Sequence, residues 1–583
     1  MMKEKTNGIT LIALIITIII MLILVATSVQ LTLNSGLFER AGEAGDKWQE
    51  AQEDEQNIKI VIGGVEATID DIVNGHIEHT AVVNAPELIE GMIAVEWNGN
   101  AWVKADTSTN TWYEYGTTSE SKRWANAVTV KATGTQTREY YQSEEAIGQE
   151  IAEEDILGMY VWIPRYSYKI VRGYHTKNGG TSQSDSGFID IKFMEGTSSY
   201  GADIVEYNSQ TTEGYTKFPD GYVVHPAFNV GNTRLTGIWV AKFEASSSTT
   251  TETTPNLGSS YGRTGSPSIG GNEVTIRPNV TSWRAVNVND CYLASTNMTK
   301  TGNIHGLSTT ADSHLMKDTE WGAVAYLTQS AYGNAQVSDS TGVWNNSYYE
   351  GDATQRAEGA TETADGYNEW GTTRTGMVGI RSGSTNGKNN SSDYYSVATN
   401  KTENEDGTIT INYQSYQYYS GGTWNGSTGT YTTTYYTYET ANGVKGSTTG
   451  TVYGIYDMAG GAWEYQASYL NEISSTYTNY FNTNVPAKHK VTYAGTSTDR
   501  VENYNLEANK AQYGNALWET SNGASGTNSW NGDYSRFVFS THPFVVRGGD
   551  FYNGSSAGLF YFSSNAGGTS ASFGFRPVLS AAL

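Results

Sequence analysis

The sequence predicts an α+β protein with an N-terminal transmembrane and stalk helix, a small β-rich module and a large C-terminal domain that carries a β insertion. Three features of the 583 residues support this prediction: an uncharged apolar run over 9–29, apolar residues that alternate around Asn98-Gly99, and a high content of glycine and tyrosine. With 16% charged residues and 64 glycines, the composition is typical of loop-rich β structure and differs from that of disordered chains.

The N-terminal segment predicts a membrane anchor. Residues 9–29 contain no charged side chain, and a helix of about 20 apolar residues crosses the hydrocarbon core of a bilayer. Lys3 and Lys5 precede the run, which places the N-terminus in the cytoplasm and the rest of the chain outside the cell. Residues 31–56 are predicted to continue as a polar helix with an interruption at Asn34-Ser35-Gly36, so 9–57 is interpreted as a transmembrane and stalk helix. The predicted localisation is a membrane-anchored protein with an extracellular C-terminal domain.

A short polar leader, residues 1–8, followed by this apolar run resembles the N-terminus of bacterial type IV pilins. The resemblance rests on Gly8, Ile9 and the Thr10-Leu11-Ile12 that follows. It implies that a prepilin peptidase cleaves between Gly8 and Ile9, that pilin subunits are partners, and that the protein lies at the cell surface or in a pilus. Ala13 stands where pilins usually carry Glu, which suits a minor subunit at a filament tip. A plain anchor that never assembles is the alternative.

Two units are predicted downstream of the stalk. Residues 58–150 form the small β-rich module, in which Asn98-Gly99 marks a type I′ hairpin turn. Residues 155–583 form the large domain. Its Ser/Thr/Tyr/Gly-rich stretch over about 376–450 has the alternation and glycine spacing of β-hairpins, so it is interpreted as an insertion, with disorder as the alternative.

Motifs in the large domain resemble, in order, those of the formylglycine-generating enzyme or sulfatase-modifying factor family. They are GIWVAKFEAS from 237, RPNVTSWRAVNVNDCYLA from 277, SHLMKDTEWGAVAYL from 313, GIYDMAGGAWEY from 454, VVRGGDFYN from 545 and GFRPVL from 574. The resemblance covers about 237–583 and implies a C-type lectin-like fold. Trp283, Trp321 and Trp463 are expected to anchor its core.

The catalytic chemistry of that family is not expected in this chain. Its enzymes bind copper through two cysteines near the end of the domain, whereas Cys291 is the single cysteine and lies in a predicted helix. Related sulfoxide synthases hold iron with three histidines, but the eight histidines here show no close ligand spacing within the domain. Asp457, Glu464 and Arg547 lie inside apolar segments, where structural pairing is the expected role.

No catalytic residue, metal ligand or cofactor is therefore assigned. A calcium ion would suit the fold, but the sequence offers no chelating loop with the right spacing. The acidic stretch at 405–408 is interpreted as a hairpin turn.

The segment from Arg547 to Arg576 resembles the variable region of proteins diversified by retroelements, which also ends a lectin-like fold. Tyr, Ser and Asn are interspersed there with Gly, Ala and Phe, and such residues bind through amphipathic contacts and adaptable hydrogen bonds. An ordinary polar loop and final strand is the alternative. The predicted ligand-binding residues are Asp550, Phe551, Tyr552, Ser555, Tyr561, Ser563, Ser564, Asn565, Thr569, Ser570, Ser572 and Phe573.

These features together predict a pilin-like cell-surface protein, an adhesin or receptor-binding protein, that binds an unknown protein or glycan and is not an enzyme. The net charge of −24 argues against nucleic acid as a partner, because a polyanion would be repelled. Two alternatives stay open. One is an enzyme of the formylglycine-generating superfamily with another cofactor, and the other is a structural pilus subunit.

Overall fold

A computed structural model gives the fold of two compact units, Met1–Ala81 and Val82–Leu583. In the first unit, β1 (Lys59–Ile62) and β2 (Val65–Thr68) form an antiparallel hairpin. The residues that the structure describes are 59–62, 65–68, 83–172, 188–197, 204–205, 222–230, 233–248, 273–284, 286–334, 375–382, 394–406, 408–419, 423–550, 557–570 and 572–581.

The second unit is built mainly from β-strands. The first half of them in chain order are β3 (Ile93–Trp97), β4 (Trp102–Lys104), β5 (Asn126–Val130), β6 (Ile156–Pro164), β7 (Tyr166–Arg172), β8 (Phe188–Phe193), β9 (Ile204–Val205), β10 (Tyr222–Val224), β11 (Asn229–Val230), β12 (Thr233–Arg234), β13 (Gly237–Ala241), β14 (Ser246–Ser247) and β15 (Val274–Thr275). The others are β16 (Asp312–Leu315), β17 (Val378–Ser382), β18 (Tyr394–Glu403), β19 (Ile409–Tyr419), β20 (Thr423–Tyr436), β21 (Trp463–Leu470), β22 (Val491–Tyr493), β23 (Ser525–Gly526), β24 (Ser535–Arg536), β25 (Phe544–Gly548), β26 (Gly558–Asn565), β27 (Phe573–Phe575) and β28 (Pro577–Ser580).

The helices in the described ranges are short. They are α1 (Arg138–Gln142), α2 (Val288–Asn297), α3 (Asp318–Thr328), α4 (Thr476–Asn484), α5 (Arg500–Tyr504) and α6 (Glu507–Lys510). Single 3₁₀ turns lie at Glu144–Ala146, Glu153–Asp155, Pro226–Phe228, Gly443–Gly446, Ala487–His489, Trp518–Thr520 and Trp530–Gly532. The start of α2 is capped by Asn287, whose side chain accepts a hydrogen bond from the Asp290 backbone N–H.

Seven strands form the main sheet, in the order β16-β28-β13-β6-β5-β3-β4. The strand β6 has the sequence ILGMYVWIP and is buried along its whole length, as a continuous apolar run of this length predicts. Trp162 on β6 lies opposite Trp239 on β13, with ring centroids 5.3 Å apart. The C-terminal strand β28 lies between β13 and β16, so the last strand of the chain completes the sheet.

A second sheet has the order β22-β21-β25-β26-β24-β23, and β27 pairs in parallel with β21. One face of it packs on a core cluster that includes Leu517, Val545 and Phe562. The remaining strands form a sheet β8-β7-β10-β9, an antiparallel sheet β17-β20-β19-β18 from the Tyr/Thr-rich segment, and the two-stranded ribbons β11-β12 and β14-β15.

The fold class predicted from the sequence is wrong. The described residues are β-rich and form mostly small sheets with few helices, without a clear division into a separate module and a lectin-like domain. The strands β3, β4 and β5 of the predicted small module continue the main sheet through β6 and β13. Hydrophobic alternation predicts each of these strands, but it does not show which strand lies beside it in the sheet. The sequence therefore predicts residues 58–150 as a separate module.

The membrane-anchored localisation is also corrected. None of the helices in the described ranges has the length and apolar surface that crossing a bilayer demands. The segment predicted to span the membrane, 9–29, the stalk to residue 57 and the processing site at Gly8 and Ile9 lie outside the described residues.

The hairpin predicted around Asn98-Gly99 forms, but not with a type I′ turn. Trp97 pairs with Trp102, so residues 98–101 make the connection. A type I′ turn needs positive φ at both central residues. Here Gly99 has a φ of +106°, but Asn98 does not take a positive φ. Instead, the Asn98 Oδ1 accepts the backbone N–H groups of Asn100 and Ala101. The asparagine side chain closes the turn in place of a second left-handed residue.

A buried carboxylate joins three elements near the main sheet. The Glu519 carboxylate accepts hydrogen bonds from the hydroxyls of Tyr168 on β7 and Tyr326 on α3, at 2.8 and 2.7 Å, and from the Gly514 N–H. Burial raises the pKa of Glu519 to about 7, although these three donors oppose the shift. The folded protein therefore holds this proton more tightly than an unfolded chain, in which a glutamate has a pKa of about 4.3.

We expect the free energy of unfolding to fall as the pH rises from 5 to 8, because Glu519 then ionises inside the folded protein. Between these pH values, the wild-type protein should lose roughly 2–3 kcal/mol more than Glu519→Gln does. Urea unfolding at both pH values measures this difference. Glu507→Gln, in which an exposed glutamate is changed, is the control and should show the wild-type slope. An equal slope in Glu519→Gln would contradict the assignment.

Candidate functional site

The structure places the predicted ligand-binding residues in three different settings. Phe551, Tyr552 and Ser555 lie outside the described residues. Thr569 is exposed, and Asn565 and Ser570 are half-buried. The others are buried, at 9% exposure or less: Asp550, Tyr561, Ser563, Ser564, Ser572 and Phe573. The described part of the predicted set therefore presents a smaller surface than its composition indicates.

The strand β26 separates these residues onto two faces. Successive side chains of a strand point to opposite sides, so Tyr561, Ser563 and Asn565 share one face. On the other face, Phe562 belongs to the core cluster, and Phe560 packs edge-on against Trp530 with ring centroids 5.0 Å apart. Tyr561, Ser563 and Asn565 thus lie on the side of the second sheet away from its core cluster.

Aromatic residues of β21 and β27 lie on the same side as Tyr561. The indole Nε1 of Trp463 donates a hydrogen bond to the Tyr561 hydroxyl at 3.0 Å, and the Tyr465 hydroxyl donates to Asn565 Oδ1 at 2.6 Å. The ring of Phe573 lies 5.1 Å from the rings of both Trp463 and Tyr465. We call Trp463, Tyr465, Tyr561, Ser563, Asn565 and Phe573 the aromatic face.

The aromatic face is neutral and fixed in place. Burial raises the pKa of Tyr561, and the nearby charge of Asp550 adds to the shift. Burial also raises the pKa of Tyr465 well above its ordinary value. Both hydroxyls therefore remain protonated at neutral pH. Trp463 is half-buried, and Tyr534, which is also half-buried, packs against Tyr561 with ring centroids 5.8 Å apart.

A fully buried ion pair lies beneath this face. The guanidinium of Arg576 contacts the Glu464 carboxylate at 2.7 and 3.1 Å, and both side chains are 0% exposed. The same guanidinium donates to the backbone carbonyls of Ala241, on β13, and Tyr456. Burial alone would lower the pKa of Arg576, but the charge of Glu464 raises it, so the arginine remains a cation. The pair links β21 of the second sheet to the main sheet.

Two further acidic residues complete the buried cluster. Asp457 takes a left-handed backbone conformation with φ +63°, and its carboxylate accepts the N–H groups of Gly376 and Glu244. Glu244 accepts the Ala462 N–H, and burial and the charges of Asp457 and Glu464 raise its pKa well above the usual value. These contacts are structural, as predicted for Asp457 and Glu464.

Arg547 and two of the three predicted tryptophan anchors are also structural. Arg547 is fully buried, donates to the Ala516 carbonyl at 3.1 Å and stacks over the ring of Trp321 at 5.5 Å. Trp283 and Trp321 are buried in the core, as predicted. Trp463 was predicted to be buried with them, but it is half-buried and belongs to the aromatic face.

Cys291 and the acidic turn near residue 406 take up ordinary structural places. Cys291 lies buried in α2, and burial raises the pKa of its thiol well above the usual value, so it is a small apolar side chain. Asp406 closes the hairpin between β18 and β19, because its Oδ1 accepts from the N–H and hydroxyl of Thr408. The turn at 405–408 is thus the predicted hairpin turn.

A cluster that sequence reasoning missed lies at the edge of the main sheet. The two oxygens of Asp312 each lie 2.7 Å from an imidazole nitrogen, Nδ1 of His314 and Nε2 of His489. The two rings stack with centroids 4.6 Å apart and an angle of 12° between their planes. All three side chains are buried. His489 follows Asp312 by 177 residues, so no local spacing marks the cluster.

Further polar groups surround this cluster. Glu320 accepts from His314 Nε2 at 2.8 Å, and the Tyr292 hydroxyl lies 3.0 Å from His489 Nδ1. Burial alone would raise the pKa of Asp312, but the hydrogen bonds from His314 and His489 hold it well below its usual range. In the sequence, the local indication of this cluster is the spacing of Asp312 and His314, which are two residues apart and so share one face of a strand.

No protein-family model matches the chain, and no curated protein is a significant match to it. The resemblances to pilins, to formylglycine-generating enzymes and to diversified variable regions therefore stay predictions from the sequence.

We expect Glu464→Gln to destabilise the protein by about 3–5 kcal/mol, because it leaves the buried Arg576 cation without its partner. Urea unfolding at pH 7 measures the loss. The matched control is Glu114→Gln, which removes the exposed ion pair between Glu114 and Arg123 at 2.9 Å and should cost less than about 1 kcal/mol. Equal costs in the two variants would show that the buried pair does not hold the sheets together.

Proposed function

We propose that the protein binds a neutral glycan at Trp463 and Asn565, the partly exposed residues of the aromatic face, and carries out no catalysis there. The observation that supports this most strongly is the half-buried indole of Trp463, which its hydrogen bond to Tyr561 holds in one orientation. A fixed and partly exposed aromatic ring offers a flat apolar surface with a negative face, against which the C–H groups of a sugar ring can pack. Little side-chain freedom is lost on binding, because the ring is already ordered.

Polar groups beside the aromatic face suit hydroxyl-rich ligands. Asn565, Thr569 and Ser570 follow one another at the end of β26 and in the loop after it, and all three are exposed or half-buried. Amide and hydroxyl groups both donate and accept hydrogen bonds, as sugar hydroxyls do. The net charge of −24 disfavours a polyanionic ligand, so a neutral glycan fits better than an acidic one.

The chemistry of the face supports binding over catalysis. The hydroxyls of Tyr465 and Tyr561 stay protonated, because burial raises the pKa of both groups. The nearby Glu464 carboxylate is bound by Arg576 and is 0% exposed, so it cannot reach a ligand as an acid or base. The predicted resemblance of 547–576 to diversified variable regions favours the same role.

We expect Trp463→Ala to weaken glycan binding by about tenfold or more, because aromatic anchors dominate such contacts. The full-length protein is screened on an array of neutral oligosaccharides, and each hit is titrated by calorimetry. Trp97→Ala is the control, since Trp97 is also half-buried but packs on Trp102 in the β3–β4 hairpin. The control should bind like the wild type.

Two results would overturn this proposal. The first is an array on which no neutral oligosaccharide binds, together with capture of a protein partner through the same face. The second is equal affinity of Trp463→Ala and wild type for an oligosaccharide that does bind, with both proteins folded by circular dichroism.

A further inference from the structure

We propose that Asp312, His314 and His489 together bind one divalent transition-metal ion of the zinc class. One ligand atom from each side chain lies within 4.8 Å of the other two. Zinc bonds to imidazole nitrogen and carboxylate oxygen are about 2.0–2.2 Å long, so the ligand atoms of one ion are roughly 3.3–4 Å apart. Small side-chain rotations therefore bring the three groups to coordination distance.

Rigid backbone elements present the three ligands. Asp312 and His314 are two residues apart on β16, so both side chains point to the same face of the strand. This strand is fixed by β28, with Asp312 opposite Ser580 and His314 opposite Val578. His489 ends the 3₁₀ turn Ala487–His489. Metal sites need ligands that the scaffold already orients, and strand and turn provide this.

The outer hydrogen bonds are those that metal-binding histidines usually make. Each imidazole directs one nitrogen at Asp312 and the other at a polar partner, Glu320 for His314 and the Tyr292 hydroxyl for His489. Histidine ligands generally use the second nitrogen to bind a carboxylate or a similar group, which fixes the ring. An ion would replace the proton on His314 Nδ1 and bind His489 at Nε2, and the proton of the neutral His489 ring would then lie on Nδ1, facing the Tyr292 hydroxyl.

The donor set selects the class of metal. Two imidazole nitrogens and one carboxylate oxygen favour zinc, cobalt, nickel or copper over magnesium or calcium, which prefer all-oxygen sites. Three protein ligands leave a fourth position for water. Lys488 Nζ lies 3.0 Å from Asp312 Oδ1, but its side chain is 38% exposed, so it can turn to solvent when a cation binds. The ion would then join the edge of the main sheet to the turn at 487–489.

The test uses the full-length chain without a histidine tag, stripped with a chelator and titrated with Zn²⁺, Co²⁺ or Ca²⁺. We expect one equivalent of Zn²⁺ per chain, visible absorption bands from bound Co²⁺, and no Ca²⁺ binding. His489→Gln should weaken Zn²⁺ binding by about 100-fold and abolish the Co²⁺ bands. His542→Gln is the matched control, because His542 hydrogen-bonds to its neighbour Thr541 outside the cluster, and it should bind like the wild type.

A second variant keeps the test decisive if His489→Gln does not fold. Lys488→Gln retains all three ligands and removes the competing cation, so it should bind Zn²⁺ as tightly as the wild type or several-fold more tightly. Absence of stoichiometric Zn²⁺ binding in the wild type would overturn the proposal. Wild-type affinity in a folded His489→Gln, or weaker binding in Lys488→Gln, would overturn it as well.

Discussion

The ion pair between Arg576 and Glu464 is the interaction on which the two large sheets depend. Arg576 lies between β27 and β28, so its guanidinium sits where the second sheet meets the main sheet. Moving two charges into an apolar interior costs several kcal/mol per ion, and the cost is recovered only when hydrogen bonds satisfy both groups. Arg576 meets this condition through Glu464, Ala241 and Tyr456. Because these bonds are directional, we interpret the pair as fixing how the sheets are placed.

The aromatic face follows from that placement. Trp463 and Tyr465 flank Glu464 on β21, so when Glu464 points to Arg576 they point to the opposite side of the strand. The parallel pairing of β21 with β27 then sets Phe573 beside Trp463. The buried Glu464 therefore determines on which side of β21 the side chains of Trp463 and Tyr465 lie. The alternation of side chains along β21 also explains how a buried acid and the aromatic residues beside it in the sequence can lie on opposite sides of the sheet.

The sequence predicted local environments better than long-range pairings. The core positions of Trp283, Trp321 and Cys291 and the structural roles of Asp457 and Glu464 could be predicted, because an apolar segment excludes an unpaired charge or an exposed indole. The pairing of β5 with β6 and the half-burial of Trp463 could not, since both depend on strands that come later in the chain. Composition predicts Tyr561 as a ligand-binding residue, but its burial depends on contacts with Trp463, 98 residues earlier.

Buried carboxylates with shifted pKa values often mark active sites, but here the direction of the shift separates two kinds of group. Burial raises the pKa of Glu519 to about 7 and that of Asp533 to about 8, and both accept hydrogen bonds from the core that surrounds them. They tend to be neutral, so they have little attraction for a cation. Asp312 differs, because its imidazole partners hold its pKa well below the usual range and keep it ionised. The metal site proposed above depends on geometry, because each oxygen of Asp312 lies 2.7 Å from an imidazole nitrogen, and one carboxylate beside two imidazoles is a donor set that suits zinc-class ions.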